Sequence, residues 1–148
     1  MKRTILTTLY LVIAIVLFGQ PSEVDIKKTS PYIRFSPAEI NMGSILVNDV
    51  TDDTGKIDIE VCNDGSIPLI LTQVSGCCGT RVTEWPKKPI APGQKGTIKV
   101  YFRITPSPSR ISRTITVQSN AGNGNLHKVA ILGEVVLPKT GNEIKLPM

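Results

Sequence analysis

Three cysteines, Cys62, Cys77 and Cys78, are the residues of this chain best equipped for chemistry. An odd count leaves at least one sulfur outside any disulfide within the chain. Cys62 closes one strand-like segment, and Cys77-Cys78 follow the end of the next. If those two strands run antiparallel, their C-terminal ends lie at opposite poles of a domain. At 3.3 Å per residue over seven residues the gap comes to about 20 Å. A disulfide tolerates only about 7 Å between Cα atoms. Cys62 is therefore expected to stay unbridged, as a small packing residue beside a turn. The adjacent pair leaves more open. It could form a strained vicinal disulfide acting as a redox switch, a soft-metal thiolate pair, or a bond to another chain. Equally, it could be a tight loop in which one cysteine packs into the core and the other is incidental.

The other reactive residue types do not converge. His127 is the lone histidine, placed near the start of a strand beside Lys128, whereas a nucleophile needs a base within reach and a third group to orient it. The acids Asp52-Asp53 lie in a turn cluster, and Asp58 and Glu60 on the polar face of a strand. Hard oxygen ligands for calcium exist between Asp49 and Asp53, without the spacing of a known calcium loop. Met42 and Met148 sit in no ligand-like cluster. Asn63, in Asn63-Asp64-Gly65-Ser66, is expected to close a turn with its side-chain amide. Trp85, followed by Pro86, reads as a core or strand-end plug, with a ligand platform as the other reading. Gly122 and Gly124 lack the strand-to-helix context that cradles a phosphate. No cofactor or metal site is assigned, and no enzyme activity is expected.

The elements that must position these residues are strands. Ile, Val and Thr are plentiful, and 12 Gly and 11 Pro punctuate the chain, a mixture that favours short strands joined by turns. Strand-like segments run over Tyr32 to Phe35, Ile40 to Val47, Ile57 to Cys62, Leu69 to Ser75, Arg81 to Trp85, Thr97 to Arg103, Ile111 to Ser119 and Leu126 to Leu137. Ile57, Ile59 and Val61 alternate with Asp58, Glu60 and Cys62, and Ile98, Val100 and Phe102 with Thr97, Lys99, Tyr101 and Arg103. This is the period of half-buried strands. Pro92-Gly93 suits the centre of a type II turn. No amphipathic helical pattern is long enough to cover a sheet, so the strands must bury their apolar faces on one another. The predicted fold is all-β, a single immunoglobulin-like antiparallel β-sandwich of seven to eight strands over residues 32–137.

Ahead of it, Met1-Lys2-Arg3 precedes an apolar run from Ile5 to Phe18 and then Gly19, Gln20, Pro21 and Ser22. A basic start, a short apolar stretch and a polar break read as a secretory signal peptide over residues 1–20. An uncleaved anchor is the alternative, although the run is short for a membrane span, which wants about 20 apolar residues. Residues 21–31 read as a linker and 138–148 as a turn-rich tail. Removing Lys2 and Arg3 from a net charge of +5 leaves +3. The remaining basic residues are scattered among acids, without the clustered footprint of a nucleic-acid binder.

A series of motifs carries a family resemblance. It runs from Asn63-x-Gly65-x-x-Pro68-Leu69 through Cys77-Cys78-Gly79-Thr80, Trp85-Pro86 and Pro89-Ile90-Ala91-Pro92-Gly93. It continues through Gly96-x-Ile98-x-Val100-x-Phe102 and Ile115-x-Val117-x-Ser119-Asn120, and closes at Leu132-Gly133-Glu134-Val135. Over Ile33 to Val136 the chain resembles a large family of exported proteins of unknown function, common in Bacteroides-type bacteria and related to immunoglobulin-like modules of the Hydin (ASH) type. The resemblance implies a fold and an exported compartment, and no activity. The family usually shows Cys-Gly-Cys-Thr where this chain has Gly76-Cys77-Cys78-Gly79-Thr80, so a thiol role for the former does not carry over by resemblance.

Together these readings predict an exported, non-catalytic module, periplasmic or at the cell surface, that engages an unidentified envelope or extracellular protein through loops or sheet edges. The alternative is a periplasmic thiol-redox or soft-metal factor using Cys77 and Cys78. Candidate site residues are Cys77, Cys78 and Trp85. No nucleic-acid partner is expected, and membrane contact only through an uncleaved N-terminal segment.

Overall fold

The computed structural model describes residues 29–138 together with Val24 and Lys27. The expected leader, most of the linker and nearly all of the C-terminal tail lie outside the described residues. Eight strands follow in order: β1 (Ile33–Ser36), β2 (Glu39–Leu46), β3 (Lys56–Asn63), β4 (Leu71–Gly76), β5 (Arg81–Glu84), β6 (Lys95–Tyr101), β7 (Ser109–Ser119) and β8 (Leu126–Val136). A 3-10 turn, Val47–Asp49, follows β2. Two four-stranded sheets form, ordered β1-β3-β6-β5 and β2-β8-β7-β4.

Alternation decides which faces meet. In β3 and β6 the odd-numbered Ile59 and Val61 and the even-numbered Ile98 and Val100 turn inward, with Phe102 just beyond β6. The register pairs Ile59 with Ile98 and Ile57 with Val100, so both strands deliver their apolar residues to one side. The other sheet answers with Leu71, Ile115, Val117, Val129, Ile131 and Val135. Each such side chain contributes about 1.5–3 kcal/mol on burial. The two inner faces together make one core, as a sandwich without covering helices requires.

One pairing departs from the antiparallel expectation: β2 runs parallel to β8. The Ser36-Pro37 break is a crossing rather than a reversal. β1 lies antiparallel to β3, and within three residues the chain leaves that sheet and enters the other while keeping its direction. It meets β8 running the same way. A bulge between Asn41 and Ser44 interrupts this pairing, with Gly43 at a φ of 67°. Another transfer between sheets lies on the opposite edge, where the turn after β4 delivers the chain to β5.

Asn63 organises one pole. It is wholly buried, and its amide uses all four of its hydrogen-bonding positions. Oδ1 accepts from the N–H groups of Gly65 at 3.0 Å and Tyr32 at 3.3 Å. Nδ2 donates to the carbonyls of Ile67 at 2.8 Å and Ile90 at 2.9 Å. Its backbone pairs with Gln94 and Gly93 across the Pro92-Gly93 turn, which closes from Gln94 N–H to the Ala91 carbonyl with Gly93 at a φ of 74°. The segment Ser30–Tyr32 packs over Gly65, where any Cβ would strike the backbone of Ser30, Pro31 and Tyr32. Residues 30 and 31, expected to be linker, are thus tied to the domain: the Ser30 carbonyl accepts from Ser66 and that of Pro31 from Gly122.

Replacing Asn63 with Ala strands two backbone donors and two carbonyls at this pole. With each stranded buried group costing about 1–3 kcal/mol and partial relief from water, Asn63→Ala is expected to lose about 3 kcal/mol of stability. Urea denaturation checks this, and a loss below 1 kcal/mol would mean the clamp is dispensable.

Candidate functional site

The three cysteines are free, and they divide as the strand geometry demanded. Cys62, on β3, belongs to the sheet opposite β4. Its thiol is buried, donates to the Glu60 carboxylate at 3.7 Å, and is pushed up in pKa chiefly by that burial. Cys77 and Cys78 lie in the turn that carries the chain from β4 to β5.

That turn is tightly specified. The Thr80 N–H closes it on the Cys77 carbonyl at 3.0 Å. Both central residues have positive φ, 54° at Cys78 and 78° at Gly79, the signature of a type I′ turn. A Cβ at Gly76 would stand 2.6 Å from the Thr80 carbonyl oxygen, so only glycine lets the two arms approach. Cys78 is the one described non-glycine residue with positive φ, a conformation costing L residues about 1–2 kcal/mol.

The turn also aims the sulfurs. Cys77 continues the pairing of β4 with β7: its N–H donates to the Thr114 carbonyl at 3.0 Å, and its Sγ accepts the Thr114 N–H at 3.2 Å. The adjacent Cys78 thiol draws Cys77 below the ordinary thiol range; burial opposes it, and the Thr114 N–H and the Arg113 charge assist. The Cys77 side chain beside it pushes Cys78 up. Of the two thiols, Cys77 is therefore the more readily ionised. Cys77 is half-buried and Cys78 exposed.

Arg113 is the member of this site that the sequence reading missed. It occupies the inward-facing position of β7 between Ile111 and Ile115, where the alternation calls for an apolar residue. Its guanidinium lies 5.5 Å from the Phe102 ring centroid, and its Nε is buried without a hydrogen-bond partner. It borders a cavity of about 250 Å³ shared with Phe102, Ser109 and Arg110. The signal was present: a cation in an otherwise apolar stripe.

Trp85, just after β5, packs against the core with one face under the Lys87 ammonium at 3.2 Å, and the structure does not bring it together with the cysteine turn. His127 bonds the Gly124 carbonyl at 2.8 Å and stacks obliquely near Phe35. Among the acids, Asp53 pairs with Lys56 and Glu60 with Lys95. Among the described residues no three or more His, Cys, Asp or Glu side chains gather as a metal site, and no helix is long and apolar enough to cross a membrane.

Residues 33–135 match the family described as "Protein of unknown function (DUF1573)". The chain belongs to the DUF1573 family. No curated protein matches it. Among solved structures, the DUF1573 domain is similar to a protein of unknown function from Porphyromonas gingivalis W83, with TM-score 0.57 and 18% identity over 79% of this chain and 50% of that one. The chain therefore spans half the length of that relative. It is also similar to the ASH/PapD-like domain 7 of human CEP192, with TM-score 0.51 and 8% identity over 74% of this chain and 89% of that domain. At such identities the likeness is one of fold: the DUF1573 domain shares the immunoglobulin-like sandwich fold of these structures.

The turn geometry sets opposite expectations for its two central residues. Gly79→Ala meets open space, so its cost is backbone strain alone, about 1 kcal/mol. Cys78→Gly removes the same strain and is expected to be neutral or to stabilise by up to about 1 kcal/mol. Thermal and urea melts of both variants check the pair, and equal destabilisation by the two would contradict the positive-φ assignment.

Proposed function

We propose that this DUF1573 protein is an exported, non-catalytic module that docks a protein partner of the cell envelope or surface. The observation that carries the reading is at the Asn63 pole. Ile67, Ile70 and Leu126, which are 44%, 42% and 50% exposed, stand at the end where the buried amide fixes the loops. Leu126 sits beside Gln118 in the register of β7 and β8, while Asn120 holds the backbone of Ile70: its Oδ1 accepts the Ile70 N–H at 2.8 Å and its N–H donates to the Ile70 carbonyl at 3.2 Å. Large apolar groups displayed on a rigid frame lose little freedom when covered, which favours docking. The ASH/PapD-like fold supports a role in protein interaction. The N-terminal basic and apolar segment, Lys2 to Phe18, supports export.

Site-specific photocrosslinking in the native organism tests this. A crosslinking amino acid at Ile70 or Leu126 is expected to trap one discrete partner, and one at Lys99, on the outer face of the other sheet, to trap none. Substituting Asp at Ile70 or Leu126 should reduce capture from the other position at least tenfold without unfolding the domain. Absence of any pole-specific product in envelope and secreted fractions would sink the docking reading.

A further inference from the structure

We infer that the Gly76–Thr80 turn is a thiol–disulfide exchange site, with Cys77 as the attacking sulfur, Cys78 as the resolving thiol and Arg113 as a positioning residue. This goes beyond the docking reading and does not depend on it.

The geometry gives the two sulfurs different tasks. Cys77 Sγ accepts the Thr114 N–H at 3.2 Å, with the Cys78 thiol adjacent in the turn and the Arg113 charge favouring the thiolate. Hydrogen bonds and cations directed at a sulfur favour its thiolate, the nucleophile in exchange. Cys78, exposed and kept protonated by its neighbour, is placed to act second. It is held there by the one positive φ outside glycine among the described residues, and such strain gathers where function demands it. Cys62 provides the contrast: buried beside the Glu60 carboxylate, it has its thiolate disfavoured. The Arg113 charge also decides against a cation here. Two thiols are too few for a closed soft-metal site, and a guanidinium beside them repels a metal ion while it favours a thiolate.

The co-reactant is a disulfide, RS–SR. The Cys77 thiolate attacks one of its sulfurs, forming a Cys77–SR bond as the RS–SR bond breaks and RS⁻ leaves, to be protonated by water. Cys78 then loses its proton to solvent and attacks the Cys77 sulfur, displacing the second RS⁻. The external disulfide is reduced to two thiols, and Cys77 and Cys78 are oxidised to one vicinal disulfide.

The test treats the reduced full-length protein with glutathione disulfide at neutral pH, followed by acid quenching and peptide mass mapping. In the wild type, glutathione is expected to join Cys77 at least tenfold faster than Cys62, and the adduct then to give way to a form two hydrogens lighter at Cys77–Cys78. Cys78→Ser should retain the adduct. Cys77→Ser, whose hydroxyl can still accept the Thr114 N–H, should slow the reaction at least tenfold. Arg113→Gln should slow it severalfold at neutral pH and move the midpoint of its pH profile upward, with Arg113→Lys restoring both. First attack at Cys78, or equal labelling of Cys62 and Cys77, would overturn the assignment of the nucleophile. A persistent adduct in the wild type would remove Cys78 from its role, and an unchanged pH profile in Arg113→Gln would remove Arg113.

Discussion

A buried amide that leaves no hydrogen-bonding position unused is the constraint on which much of this sandwich depends. Asn63 ends β3 and reaches the chain at residues 32, 65, 67 and 90, with its own backbone bound to 93 and 94. Three stretches of loop, at residue 32, residues 65–67 and residues 90–94, that would each need their own turn chemistry are instead referred to one residue. An apolar residue of the same size could fill the volume but could not satisfy those groups, and stranded backbone polar groups are what a buried loop cannot tolerate. The same pole is tied further by the two-pronged pairing of Arg34 with Asp64, which draws the Asp64 carboxyl below its ordinary pKa. Stability from that pairing is present above the ordinary carboxylate pKa and fades as pH falls through the lowered one.

The opposite edge is built on strain rather than satisfaction. The turn after β4 must carry the chain between sheets in few residues, and it does so with two successive positive φ values, one of them at Cys78. Closing it brings Cys77 against Thr114 and within the field of Arg113. Arg113 in turn faces inward, stacked over Phe102 with its Nε unbonded. Two departures from economical packing therefore sit in one place, a left-handed cysteine and an inward cation. The rest of the core, from Ile59 to Ile131, follows the rules of an apolar sandwich closely.

Much of the fold was legible because strand signals here are local. Ile98, Val100 and Phe102 alternate with polar neighbours, and the alternation alone names their buried face. Pro92-Gly93 states its turn through φ preferences carried by the two residues themselves. Asn63 announced a turn because its side chain can reach two residues onward; its reach to Ile90 was invisible, since that contact spans 27 residues. The separation of Cys62 from Cys77 followed from strand length. The parallel pairing of β2 with β8 did not, because a proline break looks alike whether the chain reverses or crosses to the other sheet.

By itself the sequence determined that the domain is all-β, where its strands and turns fall, and that three cysteines cannot all pair. Those properties rest on period-two patterning, on the φ limits of Pro and Gly, and on counting. Only the tertiary structure decided which sheet each strand joins and which groups surround each sulfur. Cys77 lies 36 positions from Arg113 in the chain, and no local preference relates them. Sheet order brings β4 beside β7, and from that single adjacency come the N–H at the sulfur and the nearby charge that make this cysteine unlike Cys62.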